Sequence, residues 1–348
     1  MQGSFNNKAK NAAPQKTKIG IALQGGGAYG IYAKGALETL LNSKFATQTE
    51  IKAVTGTSAG AMNGALLVHG INKGGTPQAL HNLDQFWVNI KTLGHTFSLI
   101  NGLGPTLNPD WPNIPTHKML LFTFAQAALP QDYALRELKQ ALDQEIRDIA
   151  PLQNGAAQLF VNAVRENQKK QREHVVFSGN DLTTDNIVAS GALEQFGGWM
   201  VNGHKHYDGA YWRNPCFDDI LKADITDLLV ITLQEKPQRP TAACSQDNAR
   251  QTNHAQPGHA LITSEIHDHL HYVQQQHPKL NLHSIELDVA PHWNETSRIN
   301  ADPAWLNTLE GMGHKDAENW LKHNLALIGK KSSYQINPKP QSPLPKKP

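Results

Sequence analysis

Short apolar runs alternate with apolar stripes at helical spacing along most of this chain. Lys18 to Leu23 reads as a buried strand and Ile51 to Val54 as a second. Between them, Ile31, Ala33, Ala36, Leu37, Leu40 and Leu41 fall near helical spacing and predict a helix over Ile31 to Leu41. Further helical stretches are Ala61 to Val68, Gln78 to Ile90, Tyr133 to Ile146, Gly258 to Gln275 and Pro303 to Leu327. Strands are expected at Gln158 to Val164, Glu173 to Phe177, Asp227 to Leu233 and Asn281 to Leu287. A hairpin is expected where Asn202-Gly203 joins Trp199-Met200-Val201 to His204 to Tyr207. This order predicts an α/β domain, a mostly parallel sheet with helices on both faces. Thr92 to Thr116 breaks the pattern with Pro105, Pro109, Pro112 and Pro115 and reads as a long loop, a flap or a surface crossover. Lys236 to Pro257 reads as a second, polar loop.

The 348 residues carry no composition break that would mark a linker, so one large domain over 17–330 is expected. Residues 1–16 are polar, lack the apolar core of a signal peptide and read as a flexible arm. Residues 331–348 are rich in lysine and proline, contain no acid and read as a disordered tail, with weak attraction to anionic lipid as its functional alternative. A net charge of +2 gives no reason to expect a nucleic-acid partner. No run is long and apolar enough to predict a membrane span. Cys216 and Cys244 demand neither a disulfide framework nor a zinc cluster and fit a reducing compartment.

Gly56-Thr57-Ser58-Ala59-Gly60 lies between a strand and a helix, the layout of a nucleophile elbow. Such a turn strains the serine backbone, so the positions two residues away must be small, and glycines occupy both. Upstream, Gly25-Gly26-Gly27-Ala28-Tyr29-Gly30 also joins a strand to a helix. Its N–H groups suit an anion, either the oxyanion of acyl transfer or a dinucleotide pyrophosphate. The dinucleotide reading wants an acid at the far end of the second strand, where Ser58 stands instead; Glu50 lies before that strand. The third element, Asp208-Gly209-Ala210, follows the hairpin and would be an ordinary turn without a serine to serve.

Glycine loop, serine elbow and Asp-Gly-Ala in this order resemble the patatin-like phospholipases, lipid acyl hydrolases with a Ser-Asp dyad. The resemblance extends over about Lys16 to Lys330 and includes Ile187-Val188-Ala189-Ser190-Gly191-Ala192 and Asn214-Pro215. It implies a three-layer α/β/α hydrolase with a mostly parallel central sheet. By it, Ser58 is the nucleophile and Asp208 the base. The oxyanion hole would come from N–H groups of Gly25, Gly26, Gly27 and Ala59, with Gly30, Gly56, Gly60, Gly209 and Ala210 completing the motifs. The implied substrate is a phospholipid or another acyl lipid, met at a membrane surface from the water side, with no metal or organic cofactor required. Phe97 and Trp111 are candidate membrane contacts. One departure is Tyr29, where the family usually carries arginine or lysine, which leaves the loop without that charge.

Two other readings remain. His254, His259, His314 and His323 follow Asp208, as the histidine of an α/β-hydrolase triad would. A catalytically silent lipid-binding protein on the same scaffold is the other. His267 and His271 share a face at metal-compatible spacing, but no H-E-x-x-H motif accompanies them, and a histidine-rich helix surface is expected.

Overall fold

Strand β1 (Thr17–Leu23) runs at the centre of an eight-stranded sheet. The computed structural model describes residues 15–101, 111–115, 129–233 and 266–334. β1 is flanked in parallel by β2 (Thr49–Gly56) and β7 (Asp227–Thr232), and β8 (Asn281–Glu286) extends the sheet in parallel beyond β7. β3 (Gln158–Glu166) joins β2 in parallel. The antiparallel strands gather on β3: β4 (Arg172–Phe177), and the hairpin of β5 (Trp199–Val201) and β6 (His204–Asp208).

Period-2 alternation divides the strand side chains between two cores. Ile19, Ile21, Leu23, Leu229, Ile231, Leu233 and Ile285 face the larger core, and Ala22, Leu228, Val230 and Leu282 the smaller. β2 has one irregularity. Its register against β1 jumps so that Ile19 pairs with Ile51 but Gly20 with Ala53, and Lys52 is the extra residue. That bulge lets Ile51 and Val54 both reach the larger core.

The larger core is covered by α1 (Gly30–Leu41), α2 (Lys44–Gln48), α3 (Ala59–Gly74), α4 (Thr76–Asn101), α5 (Tyr133–Glu145), α6 (Ala150–Asn154) and α7 (Thr184–Ala189). Helix α8 (Ile266–Gln276) covers the smaller core through Ile266, Leu270 and Val273. After the short α9 (Glu295–Arg298), α10 (Pro303–Asn324) returns to the larger core and packs on α1. Each fully buried leucine or isoleucine here contributes about 1.5–3 kcal/mol.

Three expectations need correction. Thr92 to Asn101 is not loop but the end of α4. Gly94 in this helix marks a close approach, since a Cβ there would strike the backbone of Ala301. Residues 102–110, with Pro105 and Pro109, and the Phe97 side chain lie outside the described residues. Trp111 is less exposed than a membrane contact is expected to be: partly buried, its ring stands edge-on to Trp305, centroids 5.3 Å apart, against the larger core. The ordered domain also passes residue 330. Leu282 donates its N–H to Ser332 Oγ at 2.9 Å, and Ser333 and Tyr334 donate theirs to the Leu282 carbonyl at 3.0 Å. Residues 1–14, the Lys236 to Pro257 stretch and 335–348 lie outside the described residues. The expected helix from Gly258 is described only from Ile266.

Candidate active site

The chain reverses between β2 and α3 over Thr57 and Ser58. Ser58 sits at φ 55°, ψ −126°, just ahead of the 16-residue α3. A side chain in this region costs about 1–3 kcal/mol and persists only where its surroundings over-determine it. Here they do. A Cβ on Gly56 would strike the Gly60 carbonyl, and one on Gly60 the Leu23 carbonyl, so only a Gly-x-Ser-x-Gly pattern closes this turn. Ser58 is half-buried, and of the first N–H groups of α3, Gly60 donates to the Thr57 carbonyl at 2.8 Å and Ala61 and Met62 to the Ser58 carbonyl at 2.9 and 3.2 Å, which leaves Ala59.

β3 acts as the ruler for the acid. Its Val161 pairs with Gly56 at the end of β2, and its Ala163 pairs with Asp208 at the end of β6. Asn162 lies between and bonds both sides. Its Oδ1 accepts from Thr57 Oγ1 at 2.5 Å, and its Nδ2 donates to the carbonyls of Gly209 at 3.2 Å and Arg213 at 2.9 Å. Ser190, just past α7, makes the second tie. Its Oγ accepts the Ser58 N–H at 2.9 Å and donates to the Asn162 carbonyl at 2.7 Å. Its own carbonyl accepts the Gly209 N–H at 3.1 Å.

The Asp208 carboxyl is 2 % exposed, and its Oδ1 accepts the Ala210 N–H at 2.8 Å. Burial pushes its pKa up to about 7, against the opposing pull of the Ala210 N–H and the Ser58 hydroxyl. The Ser58 hydroxyl thus faces the acid closely enough to favour its charged form, while burial dominates and holds the pKa near neutrality.

The glycine loop follows β1. Gly25 is excluded as an oxyanion donor, because its N–H is already given to Asn214 Oδ1 at 2.6 Å, while Asn214 Nδ2 donates back to the Gly25 carbonyl at 3.0 Å. Its part is to make room: a Cβ on Gly25 would stand 2.8 Å from Ser58 Cβ. Gly26, Gly27 and Ala59 have no backbone N–H acceptor among the described residues. Gly27 needs glycine twice over, for φ +58° and for the Arg298 carbonyl packed against it. Gly30 packs on Ala59, which brings the loop and the elbow together. Tyr29 is buried, with its hydroxyl 2.6 Å from Ser297 Oγ and the Arg298 guanidinium 4.7 Å above its ring.

The two described histidines from the triad alternative are engaged elsewhere. His314 bonds Thr39 Oγ1 at 2.9 Å, and His323 bonds the Asn319 carbonyl of its own helix at 2.8 Å. His254 and His259 lie outside the described residues. His267 bonds the Tyr334 hydroxyl and His271 bonds Gln275, each at 2.8 Å. Glu38, Glu310 and His314 come within 4.8 Å of one another, but the Lys34 ammonium already bonds Glu38 at 2.8 Å and Glu310 at 2.5 Å.

The motifs announced Ser58, Asp208 and the loop. They gave no role to Asn162 or Arg298, and they quoted Ser190 and Asn214 only as markers. Their bonds join positions far apart in sequence, and only the polarity of Asn162 inside an apolar strand could have flagged it.

The family model for patatin-like phospholipases matches residues 21–253, about two thirds of the chain. No curated protein matches. Among solved structures, VipD from Legionella pneumophila is similar at 13 % identity and TM-score 0.37, over 89 % of this chain and 67 % of that one. The type III effector ExoU is similar at 14 % identity and TM-score 0.35, over 87 % of this chain and 52 % of its own. The ExoU–SpcU heterodimer from Pseudomonas aeruginosa gives 14 % identity and TM-score 0.34 over 89 % and 52 % of the two chains. The chain thus spans about two thirds of VipD and half of ExoU, and likeness at these scores carries no functional argument. The family model and the order of the three motifs do: this chain belongs to the patatin-like phospholipase family.

Proposed function

We propose that the protein is a lipid acyl hydrolase of phospholipase A type, with Ser58 as nucleophile and Asp208 as its only base. The observation that carries this reading is the buried Asp208 carboxyl, near pKa 7, against the hydroxyl of a serine held at φ 55°. A carboxylate with a usual pKa would be a poor base at neutral pH; one near 7 is matched to the task.

Ser58 Oγ attacks the ester carbonyl while its proton passes to Asp208. The carbonyl oxygen becomes an oxyanion facing the N–H groups of Gly26, Gly27 and Ala59. Removing one such donor costs about 2.7–4 kcal/mol in related chemistry. The tetrahedral intermediate collapses, the C–O bond to the alcohol breaks, and Asp208 returns the proton to the departing oxygen. Water then attacks the acyl-serine, giving its proton to Asp208. The second collapse frees the fatty acid, and Asp208 reprotonates Ser58 Oγ.

Among the described residues no helix is long and apolar enough to cross a membrane, so substrate would be met at the surface of a lipid aggregate. The deciding test incubates the full chain and its Ser58→Ala variant with a mixed lipid extract and identifies products by mass spectrometry. Free fatty acid and lysolipid from the wild type alone support the reading; equal product from both refutes it.

A further inference from the structure

Tyr29 leaves the glycine loop without the basic residue expected there, yet a guanidinium lies at that loop. Arg298, at the end of α9, places Nη1 3.2 Å from where a Cβ on Gly26 would stand. Gly26 therefore borders Arg298, and its neighbour Gly25 borders Ser58. Two observations separate Arg298 from an ordinary surface arginine. Its side chain is only 16 % exposed, and its one ion pair among the described residues, to Glu295, is 3.8 Å long with a partner 87 % exposed. The guanidinium donates no hydrogen bond among the described residues, whereas Arg213 spends its own on Asp218 at 3.0 Å.

The position is built rather than incidental. The Arg298 carbonyl packs on Gly27, and the guanidinium carbon lies 4.7 Å from the centroid of the buried Tyr29 ring. A guanidinium held over a ring, with its donors not spent on other groups, keeps N–H groups available for a planar or tetrahedral oxyanion. The preceding residue is pinned as well, since Ser297 bonds the Tyr29 hydroxyl at 2.6 Å and its carbonyl accepts from Trp305 Nε1 at 2.9 Å. A cation so held, with unused donors and beside the N–H groups of Gly26 and Gly27, suits an anion attached to the molecule whose ester reaches Ser58.

We infer that Arg298 reads the phosphodiester of a glycerophospholipid substrate, standing in from a distant part of the chain for the cation that Tyr29 displaces. The inference rests on the hydrolase reading for the nature of the substrate, but its test need not depend on turnover.

Full-length Ser58→Ala protein, with and without Arg298→Gln or Arg298→Lys, is titrated calorimetrically with three probes. These are a monomeric short-chain phosphatidylcholine, the matching short-chain diacylglycerol, and inorganic phosphate. Arg298→Gln should weaken the phospholipid at least about tenfold more than the diacylglycerol, with Arg298→Lys recovering part of the loss. Equal weakening of both lipids, or of neither, overturns the inference, because the arginine would then only shape the loop. Inorganic phosphate binding as tightly as the phospholipid also overturns it, in favour of a free-anion site. Circular dichroism of each variant excludes misfolding, and Arg298→Lys gives a folded comparison should Arg298→Gln fail. In the Ser58 protein, the phospholipid-to-neutral-ester ratio of kcat/KM should fall at least about tenfold with Arg298→Gln. Binding through Arg298 without any hydrolysis would refute the hydrolase reading and spare the subsite. Hydrolysis with an unchanged ratio would do the reverse.

Discussion

Asp208→Asn should abolish turnover and yet make the fold more stable, by an amount that grows with pH. Asp208 rises from 3.8 to about 7 on folding, about three units, because the carboxyl loses its water. At 1.36 kcal/mol per unit, the charged form costs about 4 kcal/mol of stability once both states are ionised. The sign follows from the raised value. Below about pH 4 the proton is bound in both states and nothing is lost. Between about 4 and 7 the unfolded chain releases the proton that the native state keeps, so stability falls as pH rises. Above about 7 the loss is complete. Asparagine has no proton to release and keeps an oxygen for the Ala210 N–H, although that bond weakens by about 1 kcal/mol without the charge. Near pH 8 the variant should therefore exceed the wild type by about 2–3 kcal/mol, and near pH 5 the two should be close. Urea unfolding of both proteins across this range measures the difference, and every other titrating group cancels in the comparison. A gap that stays constant between these pH values, or a variant less stable at both, would refute the assignment of Asp208 as a carboxyl whose buried charge is costly.

Other outcomes test the remaining parts of the site. For wild type, log kcat/KM on a soluble ester should fall with unit slope below about pH 7, because the base must be ionised; an acid limb near pH 4 would contradict the raised Asp208. Ser58→Gly should end hydrolysis and raise stability by about 1 kcal/mol through relief of the positive φ, seen as a higher urea midpoint. Ser190→Ala leaves the Ser58 N–H without its acceptor, so it should cost about 1–3 kcal/mol and lower kcat more than it raises KM. Gly27→Val meets both the Arg298 carbonyl and an unsuitable φ; kcat should drop far more than KM changes, and a pure KM effect would argue against an oxyanion role.

Most of the architecture was legible because apolar periodicity is a local signal. β1, β7, β8 and α10 start within a residue or two of where their patterns place them. The short α2, α6 and α9 were not foreseen, since four or five residues span too few turns to build a stripe. The end of α4 was misread because the prolines from Pro105 to Pro115 coloured the whole stretch as loop, although all of them lie beyond the helix. Within the site, Ser58 and Asp208 stood in recognisable motifs. The Gly25–Asn214 pairing did not, and it removes one of the four oxyanion donors expected. Asn162 and Ser190 were silent for the same reason: a side chain bonding backbone dozens of residues away leaves no spacing to read.

The family match stops at residue 253, but the folding unit does not. β8, which shields one side of β7, and α10, which lies along α1, both come later. All six residues of β7 are buried, and Trp305, Leu306 and Leu309 of α10 are core side chains. A fragment trimmed to the matched span would keep all three motifs and still present β7 as a long, bare, apolar edge, a template for strand addition between molecules. Such a fragment should collect in inclusion bodies rather than lose activity in solution. The limit of recognisable sequence here is a limit of ancestry, and expression work that treats it as a domain boundary would cut through a hydrophobic core.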